Sequence, residues 1–196
     1  MKVYGTSVSG NCYKIKLLLH LLKIPYEWIE INVRNGETKT KEFLLKNPVG
    51  KVPLLELDSG EFLSESNAIL YFLANKTDFF PNDLLIQSRI LQWMFFEQYS
   101  HEPYIAVNRS LIRLQNKKDD PRISENLPKG MNALRIMDDY LAKNQFFGSK
   151  EPSIADISLF AYTHVAEEGQ FSLADFPNII SWIERIKKIP NFIPIY

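Results

Sequence analysis

Two strand-length runs divided by three residues constrain this chain more than anything else in it. Val52 to Leu57 (VPLLEL) and Glu61 to Leu63 (EFL) are separated by Asp58-Ser59-Gly60. Such runs around a short loop that contains glycine predict an antiparallel hairpin. An isolated hairpin is marginal, so it needs further strands or a helix beside it. Ser66 to Ala74 supplies an apolar helix at once. Upstream, Lys2 to Tyr4 and Tyr26 to Ile31 read as strands. Cys12 to Leu22 lies between them with Ile15, Leu18, Leu19 and Leu22 at i, i+3, i+4, i+7, which is helical spacing. Asn11 or Ser9 can cap that helix, and Pro25 follows its end. Gly36 marks a turn, and Thr38 to Lys46 reads as a short helix. The order β-α-β-α-β-β-α predicts a mixed four-stranded sheet with a parallel βαβ unit first.

After Asn82-Asp83 the strand signals stop. Leu84 to about Lys117 reads as a long helix interrupted at Pro103, whose ring breaks the hydrogen-bond ladder. Helices follow at Ser124 to Lys143, Ser153 to Glu167 and Asp175 to Lys188, the last with Pro177 in its first turn. The expected domains are therefore an α/β domain over 1–76 and an all-α domain over 84–196, joined by a linker over 77–83.

Lys plus Arg and Asp plus Glu both total 23, so the formal net charge is zero. With no basic run longer than two residues, a nucleic-acid partner is not expected. The single cysteine, Cys12, excludes an intrachain disulfide framework and a thiolate zinc site. The three histidines have no ligand spacing, so no metal is expected. No run is long and apolar enough for a membrane span. The first eleven residues lack a signal-peptide core. The expected setting is cytoplasmic.

Three stretches carry chemistry. At Val52-Pro53 a proline heads a strand, and a cis bond there would turn the Val52 backbone outward to pair with an extended peptide. Glu65-Ser66 precedes an apolar helix. The Ser66 hydroxyl and the first helical N–H groups suit a carboxylate, and Glu65 suits an ammonium. Capping alone also explains that serine. Thr6 to Cys12 (TSVSGNC) follows the first strand and opens the first helix, the carboxyl-end position where α/β units bind ligands. It offers three hydroxyls, an amide and a thiol. Lys39 and Lys51 are cations near the hairpin that can meet a second carboxylate.

With these residues in place, the chain resembles the glutathione transferase family. Residues 1–76 are similar to its thioredoxin-like domain. Asn47 to Glu56 (NPVGKVPLLE) resembles its glutathione-site turn, and Leu63-Ser-Glu-Ser66 its γ-glutamyl-binding signature. Ser153-Ile-Ala-Asp156 resembles its Ser/Thr-x-x-Asp box, physically a reciprocal cap. The resemblance implies a cis Val52-Pro53 bond with the Val52 backbone on the cysteinyl unit of glutathione. It implies Glu65 and Ser66 on the γ-glutamyl end, and Lys51 and Lys39 near the glycyl carboxylate. Ser9, assisted by Asn11, best fits the position that favours the glutathione thiolate. Cys12, Ser7, Thr6 and Tyr4 are the alternatives, with Cys12 expected on the buried face of its helix. Tyr99 and Tyr104, beside Pro103, are expected to line an acceptor pocket. The implied activity is conjugation of glutathione, as co-substrate, to an electrophilic apolar acceptor. The rivals are glutathione-dependent disulfide or peroxide reduction at the same site, and a non-catalytic interaction module. A homodimer is the implied assembly.

Overall fold

The computed structural model describes all of Met1–Tyr196. It divides into two compact units: Met1–Asn75 with Pro190–Tyr196, and Lys76–Ile189.

The first unit contains strands β1 (Lys2–Gly5), β2 (Glu27–Glu30), β3 (Leu54–Glu56) and β4 (Phe62–Ser64), with helices α1 (Gly10–Leu21), α2 (Lys41–Lys46) and α3 (Ser66–Ala74). The sheet order is β2-β1-β3-β4. β1 pairs parallel with β2 and antiparallel with β3, and β3 pairs antiparallel with β4. The expected mixed sheet is therefore the observed one. Pleating sends alternate residues to opposite faces. Tyr4 joins Ile31, Phe43 and Leu54 in one cluster, under α2. Val3 and Gly5 take the other face, and the fully buried Cys12, Ile15, Leu18 and Leu19 belong to α1.

Local chemistry adjusts the expected boundaries. The helix expected over 38–46 is broken, because Thr40 is extended (φ −65°, ψ 150°) and its hydroxyl accepts from Phe43 N. A single 3-10 turn, Glu37–Lys39, precedes it.

The second unit contains α4 (Leu84–Phe96), α5 (Glu102–Arg109), α6 (Arg122–Leu141), α7 (Ile154–Thr163) and α8 (Pro177–Lys187). Pro103 falls in the first turn of α5, where its missing N–H costs nothing. The expected interruption takes the form of a π-helical segment, Glu97–His101, and a second one follows at Ser110–Leu114. Ser153 and Asp156 form the reciprocal cap at α7. No helix is long and apolar enough to cross a membrane.

Two boundaries differ from expectation. Residues 190–196 group with the first unit, not with the helical one, and the Tyr13 hydroxyl donates to the Ile193 carbonyl at 2.7 Å. The expected linker over 77–83 belongs to the helical unit. Phe80 is buried there, and the Phe79 carbonyl accepts from Ile154 N at 3.0 Å.

Candidate active site

The loop between β1 and α1 is shaped by close packing beneath it. A Cβ on Gly5 would lie 2.5 Å from the Trp28 ring and 3.2 Å from the Cys12 Cβ, so no larger residue fits. Ser9 caps α1, its Oγ accepting from Cys12 N at 3.3 Å. The first turn of α1 carries no acid, so the helix dipole is left to attract an anion.

Glu30 holds this loop from β2, and sequence reasoning missed it. Its carboxylate accepts from Ser7 N at 3.0 Å, from the Ser7 hydroxyl at 2.8 Å and from the Trp28 indole at 2.7 Å. Burial raises its pKa, but the Trp28, Ser7 and Thr6 donors together outweigh that and hold the carboxyl below its usual value. Ser7 and Thr6 are thus engaged in fixing the loop.

The turn before β3 is built by side chains folding back on backbone. The Asn47 amide donates to the Lys51 carbonyl at 2.8 Å, and its oxygen accepts from Val49 N at 3.2 Å. Gly50 sits at φ +63°, and Lys39 Nζ donates to its carbonyl at 2.9 Å. Lys39 therefore anchors the turn. Lys51 is exposed. The Val52-Pro53 bond is cis, and β3 begins only at Leu54, leaving Val52 outside the ladder.

At α3 the structure separates two roles that sequence left together. Glu65 occupies the cap position in left-handed backbone (φ 68°, ψ 115°) and makes no side-chain cap. Ser66 is the first helical residue, not the cap, so capping does not account for its hydroxyl. That hydroxyl donates to Asn11 Oδ1 at 3.2 Å. Behind it the fully buried Lys14 reaches Ser66 Oγ at 3.5 Å and Asn67 Oδ1 at 3.4 Å. The first turn of α3 also lacks an acid. Two helix N-termini and the buried Lys14 side chain thus face the same small region, a setting rich in hydrogen-bond donors that suits a carboxylate.

Two of the alternative thiol-activating residues are occupied elsewhere. Tyr4 points to the α2 face, donates to Glu56 and lies under Lys46, whose Nζ is 4.8 Å from its ring centroid. Burial, then the Glu56 contact, raises its pKa. Cys12 is fully buried, and burial pushes its thiol up to about 11, outweighing the lowering effects of the nearby Ser9 side chain and the Thr6 N–H. A thiol in that state is inert at neutral pH.

Of the aromatic pair expected beside Pro103, Tyr99 is 84% exposed and Tyr104 is half-buried, with Lys129 Nζ 5.5 Å from its ring centroid. One cavity within the helical unit is lined by Trp93 and Tyr140, among others.

Comparison with known proteins gives a consistent result. Residues 8–76 match the family model described as the glutathione S-transferase N-terminal domain, and residues 92–190 match that of the C-terminal domain. A glutathione S-transferase structure from Pseudomonas fluorescens Pf-5 is 47% identical, covers 99% of this chain and 98% of its own, and superposes with a TM-score of 0.96. A possible glutathione S-transferase from Rhodopseudomonas palustris is 41% identical, covering 99% and 97% of the two chains, with a TM-score of 0.96. The disulfide-bond oxidoreductase YfcG of Escherichia coli K12 is 27% identical over 93% of this chain and 88% of its own.

Proposed function

Because this chain belongs to the glutathione S-transferase family, we propose that it binds glutathione in the first unit and transfers its thiolate to an electrophilic apolar acceptor. One observation carries the reading. The Ser66 hydroxyl donates to Asn11 Oδ1 at 3.2 Å, which ties the γ-glutamyl end of the site to the helix that carries Ser9. The γ-glutamyl carboxylate sits at the α3 N-terminus on Ser66, and its ammonium meets Glu65. The Val52 backbone, next to the cis Pro53 bond, pairs with the cysteinyl unit in the manner of an added strand. Lys51 and Lys39 attract the glycyl carboxylate at the Asn47–Gly50 turn. The sulfur then lies over the α1 N-terminus, where the Ser9 hydroxyl donates to it and Asn11 steadies the cap. A donor aimed at the sulfur stabilises the thiolate, the form that attacks.

A second reading has its own support in the relative named as a disulfide-bond oxidoreductase. In that case the same bound thiolate attacks sulfur instead of carbon. Burial keeps Cys12 out of either reaction, so the attacking thiol is glutathione's. Paired assays separate the two: an aromatic chloride reports conjugation, and a mixed disulfide reports reduction. Calorimetry with glutathione tests the premise of both. Saturable binding below millimolar concentration is expected, and its absence would leave only the interaction-module reading.

The homodimer belongs to the same proposal. Leu84, Leu85, Phe95 and Tyr99 are 79%, 60%, 68% and 84% exposed along α4 and the π segment that follows it, an apolar surface suited to a second copy. On this reading Tyr104 remains the acceptor-contact candidate, and Tyr99 serves the subunit surface. A cytoplasmic location completes the proposal.

A further inference from the structure

One exposed turn of the first unit carries a reactive dipeptide that the proposed chemistry does not use. Only one asparagine in the chain precedes a glycine, Asn35 before Gly36. Gly36 takes left-handed backbone (φ +77°) and caps the 3-10 turn Glu37–Lys39, so the turn itself calls for glycine there. Asn35 is exposed and is held through its backbone N–H, which donates to Asn32 Oδ1 at 3.1 Å, rather than through its carboxamide. The carboxamides of Asn108 and Asn178, by contrast, are locked on the Ile123 carbonyl and on Asp138, and Asn47 precedes a proline that has no N–H. A Cβ on Gly36 would meet nothing within 4 Å, so its surroundings are open. The Gly36 nitrogen is held by a single turn bond, to the Val33 carbonyl at 3.1 Å. Exposed turns of this kind open locally at little cost. The same turn carries Lys39. Its N–H donates to the Gly36 carbonyl at 2.8 Å, and its Nζ reaches the Val49 and Gly50 carbonyls at 3.3 and 2.9 Å.

We propose that Asn35 is a site of spontaneous deamidation, and that the isoaspartate it yields weakens glutathione binding as the protein ages. The Gly36 nitrogen attacks the Asn35 carboxamide carbon. A new N–C bond closes an imide ring, and ammonia leaves with the proton that the nitrogen gave up. Water then opens the ring. Cleavage of the new bond leaves aspartate. Cleavage of the original peptide bond leaves isoaspartate, whose main chain runs through the side chain and is one methylene longer. That methylene falls inside the loops closed by Gly36 N to the Val33 carbonyl and by Glu37 N to the Asn32 carbonyl. The two bonds cannot both keep their lengths, and the shift passes along the turn to Lys39 and its hold on Gly50. The consequence for binding rests on the glutathione site proposed above; the deamidation does not.

The test ages the full-length protein in mildly alkaline buffer, measures isoaspartate with a protein isoaspartate methyltransferase and locates it by peptide mass spectrometry. A free peptide of residues 31–41 serves as the reference. Isoaspartate is expected at position 35 ahead of every other asparagine, more slowly than in the peptide because the turn must open. Asn35→Gln should remove the signal, since its longer side chain closes a larger ring far more slowly. Calorimetry with glutathione then compares fresh and aged protein. The aged native protein, with isoaspartate at 35, should bind about fivefold more weakly, the worth of one weakened hydrogen bond. Aged Asn35→Gln should bind as its fresh form does, and the urea midpoints should stay close, so the loss is not one of folding. The proposal is overturned if position 35 stays intact after the peptide has converted, or if protein carrying isoaspartate at 35 binds glutathione as tightly as fresh protein. It is also overturned if aged Asn35→Gln loses affinity equally. Fresh protein that binds no glutathione would instead overturn the glutathione reading, and with it the consequence for binding, while isoaspartate at 35 would still be read out.

Discussion

Replacing Asp156 by alanine should cost this protein a large part of its stability. The carboxylate is fully buried at the start of α7. One oxygen accepts from Phe147 N at 3.0 Å and from the Trp182 indole at 2.8 Å. The other accepts from Ser153 N at 2.9 Å and from the Ser153 hydroxyl at 3.1 Å. Alanine leaves two buried backbone N–H groups and an indole N–H without acceptors, at about 1–3 kcal/mol each. Loss of the reciprocal cap adds about 1 kcal/mol. A total of about 4 kcal/mol or more is expected, against a typical whole-protein stability of about 5–15 kcal/mol. With a urea m-value near about 2 kcal/mol/M, the midpoint should fall by about 2 M. Ser153→Ala keeps the carboxylate and should lose only about 1–2 kcal/mol. Urea unfolding followed by tryptophan fluorescence measures both. A midpoint drop below about 0.5 M for Asp156→Ala would refute the reasoning that these donors depend on one acceptor.

Other perturbations bear on the site and on pH. Glu30→Ala should release the Ser7 loop and lower kcat/KM for glutathione-dependent turnover about tenfold or more while shifting the urea midpoint little, checked by steady-state kinetics beside unfolding. Cys12→Ala should retain most turnover, because the thiol is buried and protonated; complete loss would restore thiol exchange to the mechanism. For pH, burial pushes His164 from 6.5 down to about 4, so its contribution is full above pH 6.5 and lost as pH falls through 4, worth about 3 kcal/mol. Burial pushes Asp156 the other way, from 3.8 up to about 6, so its contribution is full below 3.8 and lost as pH rises through 6. The two nearly cancel in the native protein. His164→Gln should unmask the second, with the urea midpoint falling from pH 4 to pH 6, and a flat profile would contradict the pairing.

Much of this architecture was readable because its signals are local. Asp58-Ser59-Gly60 specifies the hairpin turn, and the apolar run from Ser66 defines α3. The Ser153-x-x-Asp156 spacing writes the α7 cap directly. What escaped was set by residues distant in sequence. Glu30 is 23 residues from Ser7, and no local pattern marks it as a loop anchor. Only the parallel register, which sets Gly5 opposite Glu30, brings it beneath the loop. The docking of residues 190–196 rests on Tyr13, which is 180 residues away from its acceptor. Ser66 looked like a cap because capping residues favour that position; the left-handed turn at Glu65, which displaces the cap by one, is a tertiary choice. Tyr99 stood at helical spacing with its aromatic neighbours, and spacing does not say which face is covered.

The central claim is that Ser9 donates to the glutathione sulfur and favours its thiolate. Titrating the ultraviolet absorbance of bound glutathione thiolate against pH tests it directly. In the native protein the bound thiol should ionise below free glutathione, and Ser9→Ala should raise its pKa by about 1–2 units, the worth of one hydrogen bond to a charged group. Superimposable titrations of the native and Ser9→Ala proteins, with both saturated by glutathione, would contradict the assignment.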